Sequence, residues 1–598
     1  MFILGLNAYH GDSSACLVRD GELIAAAEEE RFRRIKHWAG LPVEAIRYCL
    51  REGRIELGNV DHVAINRRPG VNNFRRLAFV LTHRPDPRLV FNRLRNIRKA
   101  ATVEAALGQA FPDQNLRAEL HHVEHHLAHL ASAFLVSPFE EAVSVSIDGF
   151  GDFASAAWGM GRRQSVCVDD RVYFPHSLGI FYSAVTQYLG FPYFGDEYKV
   201  MGLAPYGEPK FIDAMRQVVH LQSDGTFRLN LKFFRHHTDN VTYSWNNCSP
   251  EVGTLYTAAL EELLGPARKK DQPLEQKHKD IARSAQAMYE EAFFALLNAL
   301  HQRYRCDNLA LSGGCAMNSV ANGKVYQCSP FKRMYLPAAA GDAGGAIGAA
   351  FVVWNELNHS TGANGRFHMS HAYTGPQFSE EEIAAVLKSR ALFPGKNRDP
   401  LDLTSESAAS LLVSRCADAS ELCEHTAKAI SEGKVVGWFQ GRMEWGPRAL
   451  GNRSILCDPR RGDMKEILNA KIKRRESFRP FAPSILREAV VDWFETDDDV
   501  PFMMEVFQVR PEKRAQIPAV THVDGSGRLH TVSRDANPLY HQLITEFQRL
   551  TGVPILLNTS FNENEPVVCR PEEALDCFLR TKTDVLVLGR HVVIRHQA

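Results

Sequence analysis

A pattern of strand, glycine- and aspartate-rich turn, and second strand occurs twice in this chain, and it constrains the fold more than any other feature. The first copy lies in residues 2–27, where HGDSS separates two predicted strands and an Asp-Gly pair turns the chain into a third. The second copy lies in residues 141–161, where GFGD separates AVSVSID from FASAAWGM. Glycine in such turns lets backbone N–H groups approach an oxyanion. The repeat therefore predicts two related halves, each with a phosphate-binding turn.

Two copies of this pattern far apart in one chain are typical of the actin, sugar-kinase and Hsp70 ATPase superfamily (ASKHA), whose halves close over a nucleotide. Such folds also carry a late glycine pair for adenosine. Residues 308–318, NLALSGGCAMN, fit that pair as a strand, two glycines and the start of a helix. We therefore expect a nucleotide to bind near Gly149, Gly151, Gly313, Gly314 and Asn318.

A dense histidine cluster lies just before the second copy. The segment HHVEHHLAH, residues 121–129, contains three overlapping pairs of histidines four positions apart. On a helix such a pair shares one face and can bind a single cation, but the overlap leaves open which pair does so. Asp148, in the following turn, and Asp342, in the small-residue loop PAAAGDAGGAIG, are further candidate ligands. With His125 and His129 they form an N2O2 set that suits iron, zinc or manganese.

The same segment supports a competing hypothesis. HHVEH, residues 121–125, matches the HxxEH motif of inverted zinc proteases. That hypothesis requires a helix that carries a catalytic glutamate, and a third ligand downstream. It leaves both glycine turns and the C-terminal half unexplained, so we prefer the nucleotide-dependent alternative.

Four further features of the N-terminal part carry predictions. Asp12 lies in the first turn, where its carboxylate is suited to a magnesium ion or a water molecule. FGDEYKVMGLAPYG, residues 194–207, combines glycines with Lys199 and predicts an active-site loop before a helix. EEERFRRIKH, residues 28–37, is helix-like. Residues 67–99 hold ten Lys or Arg interleaved with apolar residues, a pattern that fits either RNA, lipid or anionic-acceptor contact or the solvated face of ordinary helices.

Basic residues concentrate again in the C-terminal part, where we expect a second domain to begin near residue 366 with a helix over residues 379–389. Residues 435–460 predict a strand followed by a loop and a helix start that include Arg448. Lys473, Arg474, Arg475 and Arg479 follow, and a buried strand within residues 553–562 ends in Asn558 and Ser560. Arginine pairs with phosphate in bidentate fashion and lysine adds a point charge, so these clusters predict a site for a phosphate ester.

Whole-chain properties limit the function classes. The 598 residues are too many for one core, and 70 basic residues balance 70 acidic ones, so no global field attracts nucleic acid or an anionic membrane. The twelve cysteines form no CxxC pair, which argues against a disulfide framework or a thiolate zinc site. The N-terminus lacks a signal-peptide pattern and no apolar run reaches membrane-spanning length. These features predict a cytoplasmic enzyme.

Ten segments together carry a resemblance to one family. They are LNAYHGDSSA, EEERFRRIKH, EHHLAHLASAF, SIDGFGD, DEYKVMGLAPYG, LSGGCAMN, GDAGGAIGAA, GRMEWGPRALGNRSILCDPR, KRRESFRPFAP and LLNTSFNENEPVV. Nearly end to end, the chain resembles the NodU/CmcH/TobZ-like O-carbamoyltransferases. The GRMEWGPRALGNRSIL block and LNTSFN are the most specific of the matches.

The resemblance implies a two-domain transferase of mixed α/β and α+β class. Residues 1–365 would be an ASKHA fold similar to the threonylcarbamoyl-tRNA transferase, and residues 366–598 a YrdC-like α/β domain. The YrdC-like domain would form carbamoyl-adenylate from carbamoyl phosphate and ATP, with Mg2+, and the N-terminal domain would transfer the carbamoyl group to a hydroxyl of a small natural product, as in antibiotic biosynthesis. No nucleic acid or membrane partner is expected, and a homodimer is possible.

The family's functional residues map onto this chain by motif. The metal ligands would be His125, His129, Asp148 and Asp342, with iron as the metal, and His10 would lie beside the reacting carbonyl. Carbamoyl phosphate and the adenylate would be held by Arg448, Lys473, Arg479, Asn558 and Ser560. Of the adjacent Arg474 and Arg475, either could assist Lys473, and we take Arg475 as the candidate.

Two alternatives stay open at this stage. The acceptor could be a tRNA or another macromolecule that docks on residues 67–99. The chain could also be a nucleotide-gated binding protein or simple ATPase of the actin superfamily, without carbamoyl transfer.

Overall fold

The computed structural model describes residues 1–88, 103–114, 116–239, 241, 243–246, 249–358, 366–390, 392, 411–473 and 476–595. Two compact units make up the chain, Met1–Met369 and Ser370–Ala598. The domain boundary expected after residue 365 falls at the end of a stretch, residues 359–365, outside the described residues.

The first copy of the sequence pattern forms a five-stranded sheet in the N-terminal unit, in the order β3-β2-β1-β4-β5. Strands β1 to β3 run antiparallel to one another, whereas β4 is parallel to β1 and β5 is parallel to β4. The bounds are β1 Phe2–Asn7, β2 Ser14–Arg19, β3 Glu22–Glu28, β4 His62–Ile65 and β5 Glu119–His122.

The second copy forms a second sheet with the same plan. β7 is antiparallel to β6, β9 is antiparallel to β7, β14 is parallel to β6 and β15 is parallel to β14, with the short β8 added beside β7. The bounds are β6 Glu141–Gly151, β7 Ala154–Arg162, β8 Ser165–Val166, β9 Asp170–Tyr173, β14 Asn308–Ser312 and β15 Arg333–Tyr335. The unit also has two small hairpins, β10 Val219–Leu221 with β11 Phe227–Leu229, and β12 Tyr243–Asn246 with β13 Ser249–Val252.

Both sheets therefore share one strand order and one set of strand directions, which confirms the predicted duplication and the mixed α/β fold class. The helices that surround them are α1 Glu30–Arg33, α2 Val43–Gly53, α3 Asn73–His83, α4 Val103–Ala110, α5 His125–Phe134, α6 Leu178–Tyr188, α7 Glu197–Leu203, α8 Ile212–Val218, α9 Ala258–Leu264, α10 Gln276–Tyr304, α11 Ser319–Asn322, α12 Val325–Cys328 and α13 Gly345–Asn358.

Helices α5 and α13 pack against each other at unusually close range. A Cβ atom at Gly348 would lie 1.8 Å from the carbonyl oxygen of Ala128, so the two backbones meet where neither residue carries a large side chain. Gly5 of β1 approaches α13 in the same way, because its Cβ would lie 2.2 Å from the carbonyl oxygen of Ala346. Small residues at these positions let α13 lie directly on the sheet and on α5.

Two local predictions in this unit differ from the structure, and a third is tested only in part. The helix expected over residues 28–37 is limited to α1, because Arg34 adopts a left-handed conformation with φ 60° that ends it. Residues 194–207 are not a loop before a helix, since α7 lies within them and carries Lys199. Within the basic stretch, α3 occupies residues 73–83, and residues 89–99 lie outside the described part of the chain.

The C-terminal unit is built on a nine-stranded mixed sheet in the order β16-β24-β23-β17-β18-β22-β19-β21-β20. Its strands are β16 Leu411–Arg415, β17 Val436–Phe439, β18 Arg453–Cys457, β19 Ala482–Leu486, β20 Glu505–Gln508, β21 Ser526–Val532, β22 Ile555–Ser560, β23 Val585–Leu588 and β24 His591–Arg595. Its helices are α14 Glu380–Ser389, α15 Ala419–Ser431, α16 Met464–Leu468, α17 Val490–Trp493, α18 Pro538–Thr551 and α19 Pro571–Arg580.

The loop after β17 leads into a strand and not into the helix that the sequence predicts. One carboxylate oxygen of Glu444 accepts hydrogen bonds from the backbone N–H groups of Leu450, Asn452 and Arg453, at 2.8, 2.7 and 3.1 Å. A buried carboxylate that satisfies three N–H groups fixes the loop, so Arg453 enters β18. Among the helices of the described residues, none is both long and apolar enough to span a bilayer.

The contact between α5 and α13 yields a prediction about stability. Gly348→Ala should lower the free energy of unfolding of the N-terminal unit by about 1–3 kcal/mol, because the added methyl group overlaps the Ala128 carbonyl. Gly108→Ala in α4 is the matched control, since no described atom lies within 4 Å of its Cβ position, and alanine should leave stability unchanged or slightly raised. Urea denaturation measures both, and equal effects of the two substitutions would contradict the close contact.

Candidate functional site

Four candidate metal ligands from separate parts of the sequence meet in the N-terminal unit. His125 and His129 lie one turn apart on α5, Asp148 lies in β6, and Asp342 lies in the short 3-10 turn before α13. One ligand atom from each lies within 4.8 Å of every other. The close packing of α5 on α13 is what brings Asp342 to the histidines.

The distances within this group fit a ring of donors around one cation. His125 Nε2 lies 3.1 Å from Asp148 Oδ2 and 3.1 Å from His129 Nε2. His129 Nε2 lies 3.5 Å from both Asp148 Oδ2 and Asp342 Oδ1, and His125 Nε2 lies 3.6 Å from Asp342 Oδ1. Donors about 2.1 Å from a cation are separated by about 3.0 Å in octahedral and about 3.4 Å in tetrahedral geometry. The observed separations, 3.1 to 3.6 Å, lie within this range or up to about 0.2 Å above it.

Two imidazole nitrogens in this donor set face each other, and this arrangement favours a bound cation. Two Nε2 atoms at 3.1 Å cannot both donate to each other, and two carboxylates lie against them. Burial alone would lower the pKa of His129, but hydrogen bonds to Asp148 and Asp342 outweigh it and raise that pKa to about 9. Burial likewise opposes ionisation of Asp148, yet the two histidines hold its pKa well below its usual range. The residues therefore fit a divalent metal ion.

Neighbouring backbone and glycine residues hold the ligands in place. Glu124 caps α5 by accepting the N–H of Leu127 at 2.8 Å, and Asp152 accepts the N–H of His125 at 3.0 Å. A Cβ at Gly151 would lie 1.9 Å from the His125 ring, so only glycine leaves room for that ring. The N–H of Gly314 donates to Asp148 Oδ1 at 2.9 Å and orients the carboxylate.

The structure also resolves the overlap among the histidines. His121 and His122 lie in strand β5, so they do not share a helical face with His125 and His126. His126 is buried against Ser146, with Nδ1 3.0 Å from Oγ, and burial lowers its pKa to about 4. Of the three overlapping pairs, His125 and His129 are therefore the pair that faces the two carboxylates.

The inverted zinc-protease hypothesis is wrong for this chain. Its motif requires the histidines and the glutamate on one helix, whereas its first two residues lie in β5 and Glu124 is the residue that caps α5. The Glu124 carboxylate is occupied by the Leu127 N–H and lies 3.5 Å from Arg171.

His10 lies beside the donor set, as the family resemblance implies. Its Nδ1 is 3.4 Å from Asp342 Oδ2, the carboxylate oxygen that does not face His129. Its ring stacks on that of His125 with centroids 5.1 Å apart. Asp342 therefore connects His10 to the candidate metal ligands.

The other predicted catalytic residues have different partners. Asp12 Oδ1 lies 2.8 Å from His37 Nδ1, and the N–H of His37 donates to Glu30 at 2.9 Å. Burial lowers the pKa of His37, but Asp12 and then Glu30 outweigh it and raise that pKa to about 9. The sequence did not single out His37 as a partner of Asp12. It is only the last residue of EEERFRRIKH, a segment that matches the family. Lys199 Nζ lies 2.8 Å from Asp196 Oδ1.

The residues predicted to bind a nucleotide lie in different local environments. No described atom lies within 4 Å of a Cβ built on Gly149, so space is open beside it. Gly313 has φ +88° and packs on Ile147, where a Cβ would lie 2.3 Å from the carbonyl oxygen. Asn318 caps α11 through Ala321 and shares two hydrogen bonds with Gln286. Nucleotide binding by these residues stays a prediction.

In the C-terminal unit, a buried lysine lies against the end of β22. Lys473 ends a single π-helical turn, Asn469–Lys473, and its ammonium donates to the backbone oxygens of Ser560 and Asn562 at 2.7 and 2.8 Å and to Asn562 Oδ1 at 2.7 Å. Asn558 lies two residues before Ser560 on the same face of β22 and donates to the carbonyl of Ala449 at 3.0 Å. Its own side-chain oxygen is buried and accepts no hydrogen bond from any described residue.

Arg448 directly precedes Ala449, whose carbonyl accepts from Asn558, and the environment of its guanidinium group is unusual for an arginine. Burial lowers its pKa to about 10, and within the described ranges its buried Nε has no hydrogen-bond acceptor. An arginine in such surroundings is suited to an anionic ligand. Arg479 Nη1 lies 3.2 Å from Glu476, and Arg475 lies outside the described residues.

Comparison with known proteins agrees with these two units. A family model described as "Carbamoyltransferase N-terminus" matches residues 2–351, and one described as "Carbamoyltransferase C-terminus" matches residues 427–595. An uncharacterized protein of Synechocystis sp. is 40% identical over 99% of this chain and 96% of its own length. Nodulation protein NolNO of Sinorhizobium fredii is 38% identical over 99% of this chain and 80% of its own length.

The position of Gly151 yields a prediction about metal binding. Gly151→Ala should weaken binding of Fe2+ or Zn2+ by at least about tenfold, because the methyl group displaces the His125 ring from the donor set. Gly149→Ala, in the same strand but facing open space, should bind the metal as the unsubstituted protein does.

Metal per chain, measured by mass spectrometry after equilibrium dialysis at several metal concentrations, gives both affinities. Equal affinities of the two variants would show that His125 is not a ligand.

Proposed function

This chain belongs to the carbamoyltransferase family, and from that premise we propose that it is an ATP-dependent O-carbamoyltransferase that acts on a hydroxyl of a small natural product. The observation that supports the proposal most directly is the position of His10, which contacts Asp342 beside the donor set of His125, His129 and Asp148. A proton-accepting side chain next to a cation site is suited to attack by a hydroxyl on an activated acyl group.

Activation is the first reaction. A carbamoyl group is a poor electrophile until it carries a good leaving group. Hydrolysis of carbamoyl phosphate gives carbamate and phosphate, and carbamate then attacks the α-phosphorus of ATP to give carbamoyl-adenylate and pyrophosphate. Every group in this step is anionic, so it requires cationic side chains that neutralise phosphate charge.

The C-terminal unit supplies such side chains. The buried Nε of Arg448 has no hydrogen-bond acceptor within the described ranges, and an anionic phosphate or carbamate would satisfy the guanidinium group. Lys473 is held at the end of β22 by oxygens of Ser560 and Asn562, which orient its ammonium group. The unpaired side-chain oxygen of Asn558 is suited to accept from the carbamoyl amide.

Transfer is the second reaction. The acceptor hydroxyl attacks the carbamoyl carbonyl of the adenylate, the bond from carbon to the phosphate oxygen breaks, and AMP leaves. Nδ1 of His10 is oriented by Asp342 Oδ2, so its proton is held there and Nε2 is left as the acceptor for the hydroxyl proton. A divalent cation held by His125, His129, Asp148 and Asp342, iron in the resembled family, would supply positive charge that stabilises the leaving phosphate.

The acceptor class follows from charge and from the family resemblance. With 70 basic and 70 acidic residues, the chain offers no net attraction to nucleic acid, and we propose a small molecule in place of tRNA. Mg2+ would accompany ATP in the activation step.

If activation and transfer use different residues, each of two variants should slow only one of the two reactions. Arg448→Gln should slow carbamoyl-phosphate-dependent release of pyrophosphate from ATP by about 100-fold or more, because the charge that meets the substrate phosphates is lost. His129→Gln should leave pyrophosphate release in a single turnover unchanged but slow carbamoylation of the acceptor by about 100-fold or more. Arg487→Gln, which removes surface contacts with Asp497 and Asp499, is the control and should affect neither step.

Pyrophosphate is followed by a coupled assay, and products by mass spectrometry of hydroxylated natural products incubated with enzyme, ATP and carbamoyl phosphate. Product formation without ATP would contradict the adenylate step. Loss of activity after ribonuclease treatment would favour a tRNA acceptor, and the absence of carbamoyl-phosphate-dependent pyrophosphate release would favour a simple ATPase.

A further inference from the structure

A second group of metal-ligating side chains lies at the edge of the first sheet, away from the residues used above. His62 lies in β4, and Glu119 and His121 lie in β5, which is the outer strand of that sheet. The side chains of His62 and His121 are 15% and 20% exposed, so a cation from solvent can reach them.

Strand register places all three side chains on one face. β4 and β5 are parallel, with His62 opposite Glu119 and Ala64 opposite His121. Residues opposite each other share a face, and so do residues two apart along a strand. The group is therefore fixed by the backbone of two paired strands and does not depend on a loop.

The atoms converge at distances that suit a metal ion. His62 Nδ1 lies 3.0 Å from His121 Nε2, and one Glu119 carboxylate oxygen lies 3.7 Å from His62 Nδ1 and 3.9 Å from His121 Nε2. Ligands about 2.1 Å from a tetrahedral cation are about 3.4 Å apart, which lies between these values. A small rotation of the Glu119 side chain, which is 69% exposed, would bring its oxygen within that distance.

The electrostatic surroundings also favour a cation. The His121 ring, one of the proposed ligands, lies in the field of two carboxylates. The charges of Glu119 and, from helix α13, Glu356 act on the same ring.

We propose that His62, Glu119 and His121 bind a divalent transition metal of the zinc class, as a second site separate from that of His125 and His129. Two imidazoles and a carboxylate are a common ligand set for zinc, and a solvent molecule would complete the coordination. The site joins β4 to the edge strand β5, which ends two residues before the cap of α5 at Glu124. Bound metal therefore stabilises the strand that leads into the helix with the first two ligands.

Zinc binding to the full chain tests the proposal. After removal of metal with a chelator, zinc per chain is measured by equilibrium dialysis for four proteins: the unsubstituted chain, His129→Gln, His62→Gln/His121→Gln, and the variant with all three substitutions. His129→Gln protein should still bind about one zinc, because the sheet-edge site is intact, and the triple variant should bind none with comparable affinity.

Two further variants keep the result interpretable. Glu119→Gln changes one exposed side chain and should fold normally, yet it should weaken zinc binding in the His129→Gln background by at least about tenfold. His220→Gln removes an exposed histidine from strand β10 and should leave zinc binding unchanged. If His129→Gln protein binds no zinc, or binds it equally with and without the sheet-edge substitutions, the pair is only a hydrogen bond between imidazoles and the proposal is overturned.

Discussion

The close contact between helices α5 and α13 determines the geometry of the N-terminal site. Gly348 and Ala128 let the two backbones approach to a distance that no side chain would allow. α5 carries His125 and His129, and Asp342 lies just before α13, so the separation of the helices sets the distances of 3.5 and 3.6 Å between Asp342 and the two histidines. A wider helix contact would separate the carboxylate from the imidazoles and from His10.

The duplicated sheets add the remaining parts of that site. β6 ends in an irregular stretch between Ile147 and Gly151, where the pairing with β7 shifts, and this irregularity turns Asp148 toward α5. The corresponding turn of the first sheet carries His10. The strand order that the two sheets share therefore places a carboxylate from one copy and an imidazole from the other on either side of Asp342 and the histidine pair.

Much of this arrangement could be predicted from the sequence, because the repeated strand and turn pattern is local and strongly periodic. Helical spacing alone could not select His125 and His129, because three overlapping pairs fit it equally well; the family resemblance favours this pair, and the boundary between β5 and α5 separates it from the others. The link between Asp12 and His37 was also missed, since the two residues are 25 positions apart and meet only because β2, β3 and α1 fold back between them. The helix start expected within residues 435–460 is absent, and the chain enters β18 at Arg453, because the hydrogen bonds that Glu444 accepts from this loop have no sequence signal.

The central claim is that four side chains from three segments hold one cation. Anomalous diffraction at the absorption edge of iron, or of zinc substituted for it, from crystals of the full chain tests this most directly. The account predicts one peak within about 2.2 Å of Nε2 of His125 and His129 and of one oxygen each of Asp148 and Asp342. Crystals grown with the metal that show no peak among these four residues, with the two Nε2 atoms still in contact, would contradict it.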